Sequence, residues 1–320
     1  MAESPAISVV VATHNRRRRL AALLTSLREQ TLEPAEFEVI VVDDGSGDGT
    51  AELLAGDAES SPFELTVIAR DLAGGPARAR NEGWRRARAG LVAFTDDDCE
   101  ASPGWLEALL QAARRSPAAI VQGRTQPNPD ELDAVGPFSV TRDVDGSGPL
   151  WFETCNIAYP RELLERMQGF DEAFPEPLGE DTDLGWRAIE DGAVREFAPE
   201  AVVYHAIEDL GPARHLRGAL VGADGVLIFR RHPALRADAL GAGLVRNHAH
   251  LRLLLAFAGI VIARRWRPAA LLAIPYLRLL IWRAGRAGAS PAVAPYFLLY
   301  DLLTLYTTAR GDLRHRVLVL

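Results

Sequence analysis

The chain has 320 residues, 48% hydrophobic and 24% charged, which excludes a disordered protein and leaves room for one large α/β core with an appendage. Its two cysteines, Cys99 and Cys155, are too few for a disulfide framework and form no metal-type pair, so we expect packing roles in a reducing compartment. The first residues lack the basic and apolar regions of a signal peptide, which predicts a cytoplasmic protein.

The net charge of −8 is divided unevenly along the chain. Residues 1–210 carry 39 acidic and 19 basic side chains, whereas residues 211–320 carry 4 acidic and 16 basic ones. Every basic residue is arginine. A basic, apolar tail on an acidic body indicates two surfaces with different partners. We therefore predict a catalytic domain over 1–210 and a separate region over 211–320, and we expect no nucleic-acid partner.

Short apolar runs alternate with helical patterns in the first part of the chain. The runs that predict strands are residues 7–12, 37–42, 65–69 and 91–95. Strands that are almost continuously apolar, separated by helices, predict an α/β fold with a mainly parallel sheet and helices on both faces.

The pattern is less regular further along the chain. Residues 125–150 are rich in Pro, Gly and Asp, which predicts a mobile loop, and residues 151–159 predict a strand. A short helix is predicted over 160–167 and another over 181–191, and residues 201–204 predict a strand that ends at His205.

The region beyond residue 211 is composed of Leu/Ala/Arg helical patterns. Residues 253–263 are eleven consecutive apolar residues, and residues 269–282 are apolar apart from Arg278 and Pro275. Both stretches are shorter than the ~20 residues that span a bilayer. Apolar helices flanked by Arg and Trp are typical of the membrane interface, which favours peripheral binding to an anionic membrane surface. The alternative is that these helices pack on the core or on a second subunit in a homo-oligomer.

Three polar clusters follow predicted strands: Thr13-His14-Asn15, Asp43-Asp44 and Asp96-Asp97-Asp98. In parallel α/β sheets, ligands bind beyond the carboxyl ends of the strands, so the clusters are expected to share one crevice. Three adjacent carboxylates disfavour folding unless a cation or hydrogen-bond donors compensate their charge, and their oxygens suit Mg²⁺ or Mn²⁺ shared with substrate phosphates. The alternative for the triplet is a solvated acidic turn.

Three further positions are ambiguous when taken alone. Glu180 and Asp181 precede a predicted helix, and either could serve only as its N-cap. His205 ends a predicted strand, and a single histidine is more often a satisfied side chain than a metal ligand.

A series of short motifs occurs in one order along the chain. The motifs are Ser8-Val9-Val10-Val11-Ala12-Thr13-His14-Asn15, Val41-Val42-Asp43-Asp44-Gly45-Ser46, Ala79-Arg80-Asn81-Glu82-Gly83, Phe94-Thr95-Asp96-Asp97-Asp98, Pro103-Gly104-Trp105-Leu106 and Gly179-Glu180-Asp181. Together they closely resemble the family 2 glycosyltransferases of the GT-A fold, over roughly residues 5–210. The resemblance implies an inverting transfer of a sugar from a nucleotide diphosphate donor, with UDP or dTDP favoured, to a glycan or lipid-linked acceptor.

The resemblance also implies a role for individual residues. Asp96 and Asp98 match the family's Asp-x-Asp pair that holds a divalent cation, and His205 resembles a third metal ligand. Asp181 matches the catalytic base. The residues similar to the family's nucleotide-binding positions are Ala12, His14, Asp43, Asp44, Arg80 and Asp97. The family often has an aromatic residue where His14 stands, so stacking on the base is expected to be weaker here.

Other classes of protein fit the sequence less well. No G-x-G-x-x-G follows the first strand, which argues against a dinucleotide-dependent oxidoreductase. A pyrophosphorylase that forms sugar nucleotides would need a lysine, and the chain has none. The remaining alternative is a non-catalytic nucleotide-sugar-binding regulatory or interaction protein on the same fold. We expect the enzyme to act in the cytoplasm, with a peripheral position on the inner face of the membrane.

Overall fold

The computed structural model describes residues 4–148, 150–174, 178–240, 244–286 and 290–319. The strands in these ranges are β1 (Ile7–Thr13), β2 (Phe37–Asp43), β3 (Glu64–Ala69), β4 (Leu91–Asp96), β5 (Cys99–Ala101), β6 (Ile120–Pro127), β7 (Ser139–Val140), β8 (Asn156–Pro160), β9 (Arg195–His205) and β10 (Glu208–Asp209). The α-helices are α1 (Arg17–Arg28), α2 (Thr50–Ser60), α3 (Pro76–Arg86), α4 (Trp105–Arg115), α5 (Arg161–Met167), α6 (Glu180–Glu190), α7 (Gly211–Gly218), α8 (Leu227–Arg231), α9 (Pro233–Ala239), α10 (His248–Ile262), α11 (Ile274–Arg286) and α12 (Ala294–His315).

The chain divides into two compact units. The first comprises residues up to Leu132 together with Thr141–Ala206, and the second comprises Asp133–Val140 and the chain from Ile207 onward. The assignment of separate functions to residues 1–210 and 211–320 stays a prediction.

The first unit is built on an eight-stranded sheet with the order β3-β2-β1-β4-β8-β6-β9-β5. The pairs β3–β2, β2–β1, β1–β4 and β6–β9 are parallel, and β8 and β5 pair antiparallel with their neighbours. Because β1 and β2 are buried along almost their whole length, they carry the continuous apolar runs of central strands. The predicted α/β class and the mainly parallel sheet are confirmed, and the first four predicted strands are observed with ends shifted by one residue at most.

Helix α3 lies against the sheet at very short range. A side chain at Gly83 would place its Cβ 2.4 Å from Cγ1 of Val10 on β1, so only glycine permits this contact. The buried ring of Trp84 is held by the bond from its Nε1 to Oδ1 of Asn81, 2.9 Å away. The glycine therefore fixes the distance between α3 and the strand that ends at the candidate site.

Two sequence predictions differ from the structure. The predicted strand over 151–159 is wrong in its first half, because β8 begins only at Asn156. Phe152 has φ of 56°, a left-handed conformation that ends extended pairing, and its ring is buried against Gly185 of α6. The predicted loop over 125–150 is partly ordered: β6 continues to Pro127, and Val144 exchanges backbone bonds with Thr125.

The second unit consists of helices and the short antiparallel pair β7–β10. Helices α10, α11 and α12 share a small apolar core with Leu253, Tyr276, Leu280 and Phe297. Inside it the fully buried Asp301 accepts bonds of 2.9 Å from both Tyr276 Oη and the guanidinium of Arg283. The buried carboxylate is thus paired and hydrogen-bonded, as burial of a charge requires. Among the described residues, no helix combines the length and apolarity that crossing a bilayer demands.

Candidate functional site

The register of the parallel strands brings three polar clusters to one edge of the sheet. Ala12 on β1 pairs with Asp96 on β4, and Thr13 pairs with Asp43 on β2. These residues are therefore near neighbours at the carboxyl ends of adjacent strands, where ligands of such sheets bind. One residue of each predicted cluster, Thr13, Asp43 and Asp96, thus lies at this edge of the sheet.

The middle carboxylate of the acidic triplet is a structural anchor. Asp97 is 6% exposed and accepts a bond of 2.7 Å from the hydroxyl of Thr13 and one of 3.3 Å from Nη1 of Arg16. Burial raises the pKa of Asp97 to about 7, whereas Arg16 and Thr13 act to lower it and Asp98 and Asp96 to raise it. The side chain ties β1 and the start of α1 to the triplet.

The next carboxylate, Asp98, faces a histidine. Nε2 of His205 lies 3.6 Å from Oδ1 of Asp98, and the other carboxylate oxygen bonds Nη1 of Arg16. Nδ1 of His205 is 2.9 Å from the carbonyl of Ala206, which can only accept, so this nitrogen carries the proton. In the neutral ring, Nε2 then presents a lone pair toward a carboxylate oxygen.

These groups fit a divalent cation. Two electron-pair donors 3.6 Å apart repel each other unless a cation lies between them, and each can approach an ion to about 2.1 Å. The thiol of Cys99 lies in the same cluster, with all ligand atoms within 4.8 Å of one another. Burial raises the pKa of that thiol well above its ordinary value, which keeps it protonated and unsuited to a hard ion. Asp98 and His205 are therefore the better pair.

A buried arginine connects the triplet to the helix that carries Asp181. Arg80 of α3 donates from Nη2 to Oδ1 of Asp96 and from Nη1 to Oε1 of Glu180, each over 2.9 Å. Its pKa is shifted upward, because the neighbouring Asp96, Glu180 and Asp181 outweigh the opposing effect of burial. One guanidinium thus holds the ends of β4 and α6 at a fixed separation.

Asp181 lies at the start of α6, after Gly179, whose φ of 97° permits the sharp entry into the helix. Its Oδ1 accepts a bond of 2.7 Å from the backbone amide of Thr182. Burial raises the pKa of Asp181 to about 7, and the charge of Glu180 raises it further against the lowering effect of Arg80. A carboxyl with a pKa near neutrality can take up a proton at physiological pH.

The loops after β1 and β2 hold each other in place. Asp44 accepts bonds of 2.8–3.0 Å from the backbone amides of Gly74 and Gly75, and it pairs with Arg70 at 3.0 Å. Nδ1 of the exposed His14 lies 2.8 Å from the Asp44 carbonyl. Asp43 accepts a bond of 3.0 Å from the amide of Ser46. The Asp44 carboxylate is therefore used inside the protein, while His14 faces solvent.

The sequence predicts no catalytic or binding role for three residues that organise the site: Arg16, Glu180 and Asn81. Asn81 donates to the Phe170 carbonyl over 2.8 Å and accepts from the Phe170 amide over 2.9 Å. These two bonds tie α3 to the turn that follows α5. Asn81 and Glu180 belong to the sequence motifs that also contain Arg80 and Asp181, and this membership is the signal by which they could be found. Arg16 belongs to a run of four arginines that reads as a solvated surface, so nothing distinguished it.

The sheet is that of the GT-A glycosyltransferases. Residues 8–167 match the family described as Glycosyl transferase family 2. The chain therefore belongs to glycosyl transferase family 2, and the resemblance noted in the sequence is confirmed.

Several relatives carry specific names. The chain is 30% identical over 264 residues to validoxylamine A glucosyltransferase of Streptomyces hygroscopicus subsp. limoneus, covering 72% of this chain and 58% of that protein. It is 28% identical over 248 residues to pre-mycofactocin glycosyltransferase of Mycobacterium tuberculosis, covering 74% of this chain and 50% of that one. The chain thus spans between half and three fifths of the length of these two relatives.

Solved structures share the fold. The mannosyltransferase PcManGT from Pyrobaculum calidifontis, in complex with GDP-Man and Mn²⁺, matches with a TM-score of 0.57 and 22% identity over 98% of this chain and 88% of that one. S. aureus TarS 1-349 in complex with UDP-GlcNAc matches with a TM-score of 0.56 and 19% identity over 97% and 92% of the two chains. At these identities the likeness concerns the fold.

Proposed function

We propose that the chain is an inverting, metal-dependent glycosyltransferase that moves a sugar from a nucleotide diphosphate donor onto an acceptor hydroxyl. The observation that carries the proposal is the double contact of Arg80, which joins Asp96 at the strand ends to Glu180 beside Asp181. A transferase must hold its donor and its base at one fixed separation, because small misplacements cost large factors in rate.

The nucleotide is expected at the ends of β1 and β2. Ala12, His14 and Asp43 would contact the base and ribose. Asp44 and Asp97 would act indirectly, since their carboxylates are used by Gly74, Gly75 and Thr13. We favour UDP or dTDP as the nucleotide; among the fold relatives, PcManGT was solved with GDP-Man and TarS with UDP-GlcNAc.

Asp96, Asp98 and His205 would hold Mg²⁺ or Mn²⁺. When bound, such an ion neutralises the charge that develops on a departing diphosphate. The protein's own contribution is to orient these side chains and to place cationic groups beside the carboxylates. Arg16 compensates Asp98 and Asp97 while Arg80 compensates Asp96, so three adjacent carboxylates coexist at the end of one strand.

Asp181 would act as the general base. An acceptor hydroxyl is a weak nucleophile, and a carboxylate within hydrogen-bond reach takes its proton as the new glycosidic bond forms. A single base on the face opposite the leaving diphosphate gives direct displacement, and hence inversion of the anomeric centre. Asp181 then carries the proton, and its pKa of about 7 allows the proton to be released after the transfer.

The alternative is a protein that binds nucleotide sugars without turnover. Incubation with UDP-glucose, UDP-GlcNAc, dTDP-glucose and GDP-mannose, with Mn²⁺ and a panel of hydroxyl acceptors, separates the two. We expect nucleotide diphosphate release from at least one donor, and a β-linked product from an α-linked donor by NMR. Binding without release supports the alternative, and an α-linked product contradicts inversion.

The second unit supplies a candidate membrane surface. Helix α10 is apolar on all sides from Leu253 onward, yet only Leu253, Ala256 and Gly259 of this apolar run are buried. The exposed large side chains of α10, α11 and the segment between them are Leu254, Leu255, Phe257, Ile260, Val261, Ile262, Trp266, Leu271, Leu272, Ile274, Leu277, Ile281 and Trp282. Exposed apolar side chains in this number on neighbouring segments are typical of an interaction site.

Arginines accompany this apolar surface. Arg264, Arg265 and Arg267 are exposed between the two helices, and Arg252 and Arg278 line a groove of about 500 Å³ together with Trp282. Guanidinium groups beside exposed aromatic and aliphatic side chains match lipid phosphates above acyl chains. We therefore propose peripheral binding to an anionic membrane from the cytoplasmic side, with a second copy of the chain as the competing occupant. A membrane position would also give access to glycan or lipid-linked acceptors.

A further inference from the structure

A cavity of about 420 Å³ lies in the first unit, in a region to which the sequence analysis assigns no function. Its wall includes Gln122 on β6, Arg195 on β9 and the segment from Leu150 to Glu153 that precedes β8. The side chains on this wall are mainly polar, which distinguishes the cavity from a packing defect.

The register of the strands places the cavity on the same face of the sheet as Asp96. Phe94 pairs with Ile157, and Ile157 pairs with Gln122. Paired residues project to one face, and residues two apart along a strand share that face. Gln122 therefore lies on the face of Phe94 and Asp96. Gln122 also pairs with Phe197, so Arg195, two residues earlier on β9, lies on this face as well.

The cavity holds two half-buried charges of opposite sign. Burial raises the pKa of Glu153, whereas burial lowers the pKa of Arg195. Within the described part of the chain, neither side chain forms an ion pair or a hydrogen bond with another side chain; Arg195 only lies over the ring of Phe197, 5.4 Å from its centroid. Glu153 interacts with Arg142 and Arg195 only through their charges, without a hydrogen bond to either, so a ligand with hydroxyl groups could hydrogen-bond both Glu153 and Arg195.

The wall of the cavity is anchored to the helix that carries the candidate base. The carbonyl of Trp151 accepts a bond of 2.6 Å from the hydroxyl of Thr182, and the amide of Thr182 bonds Asp181. Phe152, in its left-handed conformation, fills the space left by the missing side chain of Gly185. Strained backbone of this kind, held by surrounding contacts, is found at functional sites. The cavity and Asp181 are thus parts of one rigid arrangement.

We propose that this cavity binds the hydroxyl-rich ring of the acceptor, and that Glu153 and Arg195 select a neutral sugar or cyclitol. The inference rests on the proposed transferase function and names the chemistry of its acceptor. Asp143, Asp145 and Glu153 are balanced by Arg195 together with Arg124 and Arg142, whose charges act on Asp145 and Glu153. The site therefore offers no net attraction to offset the desolvation of a phosphate or carboxylate on the bound ring. Glu153 accepts hydrogen bonds from ring hydroxyls and Arg195 donates to them.

Saturation-transfer NMR with methyl α-D-glucopyranoside, myo-inositol and glucose 6-phosphate tests this assignment. The samples are the unaltered chain, Glu153→Gln, Arg195→Gln and the control Glu107→Gln, which changes an exposed carboxylate on α4. We expect a neutral ring to bind, with at least tenfold weaker binding in both cavity variants and no change in the control. Glucose 6-phosphate should bind at least tenfold more weakly than the neutral ring.

Preferred binding of the sugar phosphate overturns the proposal, and so does neutral-ring binding that both cavity variants leave unchanged, or the absence of any neutral-ring signal. Nucleotide binding and release of nucleotide diphosphate are measured on the same samples. Intact release without cavity-dependent ring binding refutes this inference alone, whereas no release from any donor refutes the transferase function. Nucleotide binding also verifies that each variant is folded, and the two substitutions test the cavity independently.

Discussion

His205 Nε2 lies 3.6 Å from Oδ1 of Asp98, and its ring is held in that orientation by the bond between Nδ1 and the carbonyl of Ala206. The contact joins β9 to the turn between β4 and β5, two parts of the chain that are more than 100 positions apart. Because neither atom donates when the ring is neutral, the pair is poised for a cation.

Replacing Asp98 by Asn or His205 by Gln should weaken Mn²⁺ binding by about tenfold or more, since each substitution removes a ligand. Calorimetric titration of the chain with Mn²⁺ measures the affinity, and circular dichroism verifies the fold. Glu107→Gln is the matched control and should bind like the unaltered chain. Equal Mn²⁺ affinity in all four proteins, or full activity in the presence of a chelator, refutes the metal assignment.

Asp181→Asn should lower turnover by about 100-fold or more and change donor affinity little, because a general base acts chiefly in the transition state. The substitution keeps the oxygen that accepts from the Thr182 amide, so the start of α6 should persist. Steady-state kinetics with calorimetry of donor binding separates the two effects. Lost donor affinity with unchanged turnover would make Asp181 a donor ligand instead of the base.

The raised pKa of Asp181 also predicts how stability depends on pH. A carboxyl with a pKa of about 7 in the folded state and about 4 in the unfolded state opposes folding as it ionises, so its cost grows from about pH 4 and is complete above pH 7. Asp181→Asn removes that cost. The free energy of unfolding should therefore rise by about 4 kcal/mol at pH 8 and by about a third of that at pH 5. Denaturant unfolding at both pH values checks this, and an equal change at both would contradict the raised pKa.

The short contact between α3 and β1 predicts opposite effects of one substitution at two glycines. Gly83→Ala should destabilise the chain by about 1–3 kcal/mol, since the new Cβ would lie 2.4 Å from Cγ1 of Val10. Gly56→Ala, within α2 and with no atom within 4 Å of the added Cβ, should stabilise by about 0.5–1 kcal/mol. Thermal unfolding of both variants measures the contrast. Stabilisation in both would mean that α3 can move away from the sheet at little cost.

Binding to lipid vesicles should depend on the arginines of the second unit. Reversing two charges with Arg264→Glu and Arg265→Glu should reduce co-sedimentation with anionic vesicles several-fold, since each cation near such a surface contributes about 1 kcal/mol. High salt should weaken binding of the unaltered chain through screening. Arg114→Glu, which changes an exposed side chain of α4 in the first unit, is the control. No vesicle binding, together with a salt-resistant dimer in light scattering, would assign this surface to a second copy.

The predictable part of the fold is the part in which local sequence and burial agree. Strands β1, β2 and β4 are buried on both faces, so their apolar runs are unambiguous. The prediction for the segment before β8 is wrong because Trp151 and Phe152 are residue types that favour strands. The residue that accommodates the Phe152 ring is Gly185, which lies on α6. The sequence pattern of one segment contains no information about a partner so far away in the chain.

The sequence by itself determined the class of fold, the convergence of Asp43 and Asp96 at one edge of the sheet, and the membership of the family. The spacing of apolar residues along each strand is a local property, and the shared direction of neighbouring strands follows from the topology, so neither requires the packed structure. The tertiary structure decided which charges meet. Arg80 holds Glu180, 100 residues away, and Arg16 holds Asp97, 81 residues away. The same holds for Glu153 and Arg195, which reach one cavity from different elements. Electrostatic pairing depends on distances of a few ångströms between side chains, and only packing sets those distances.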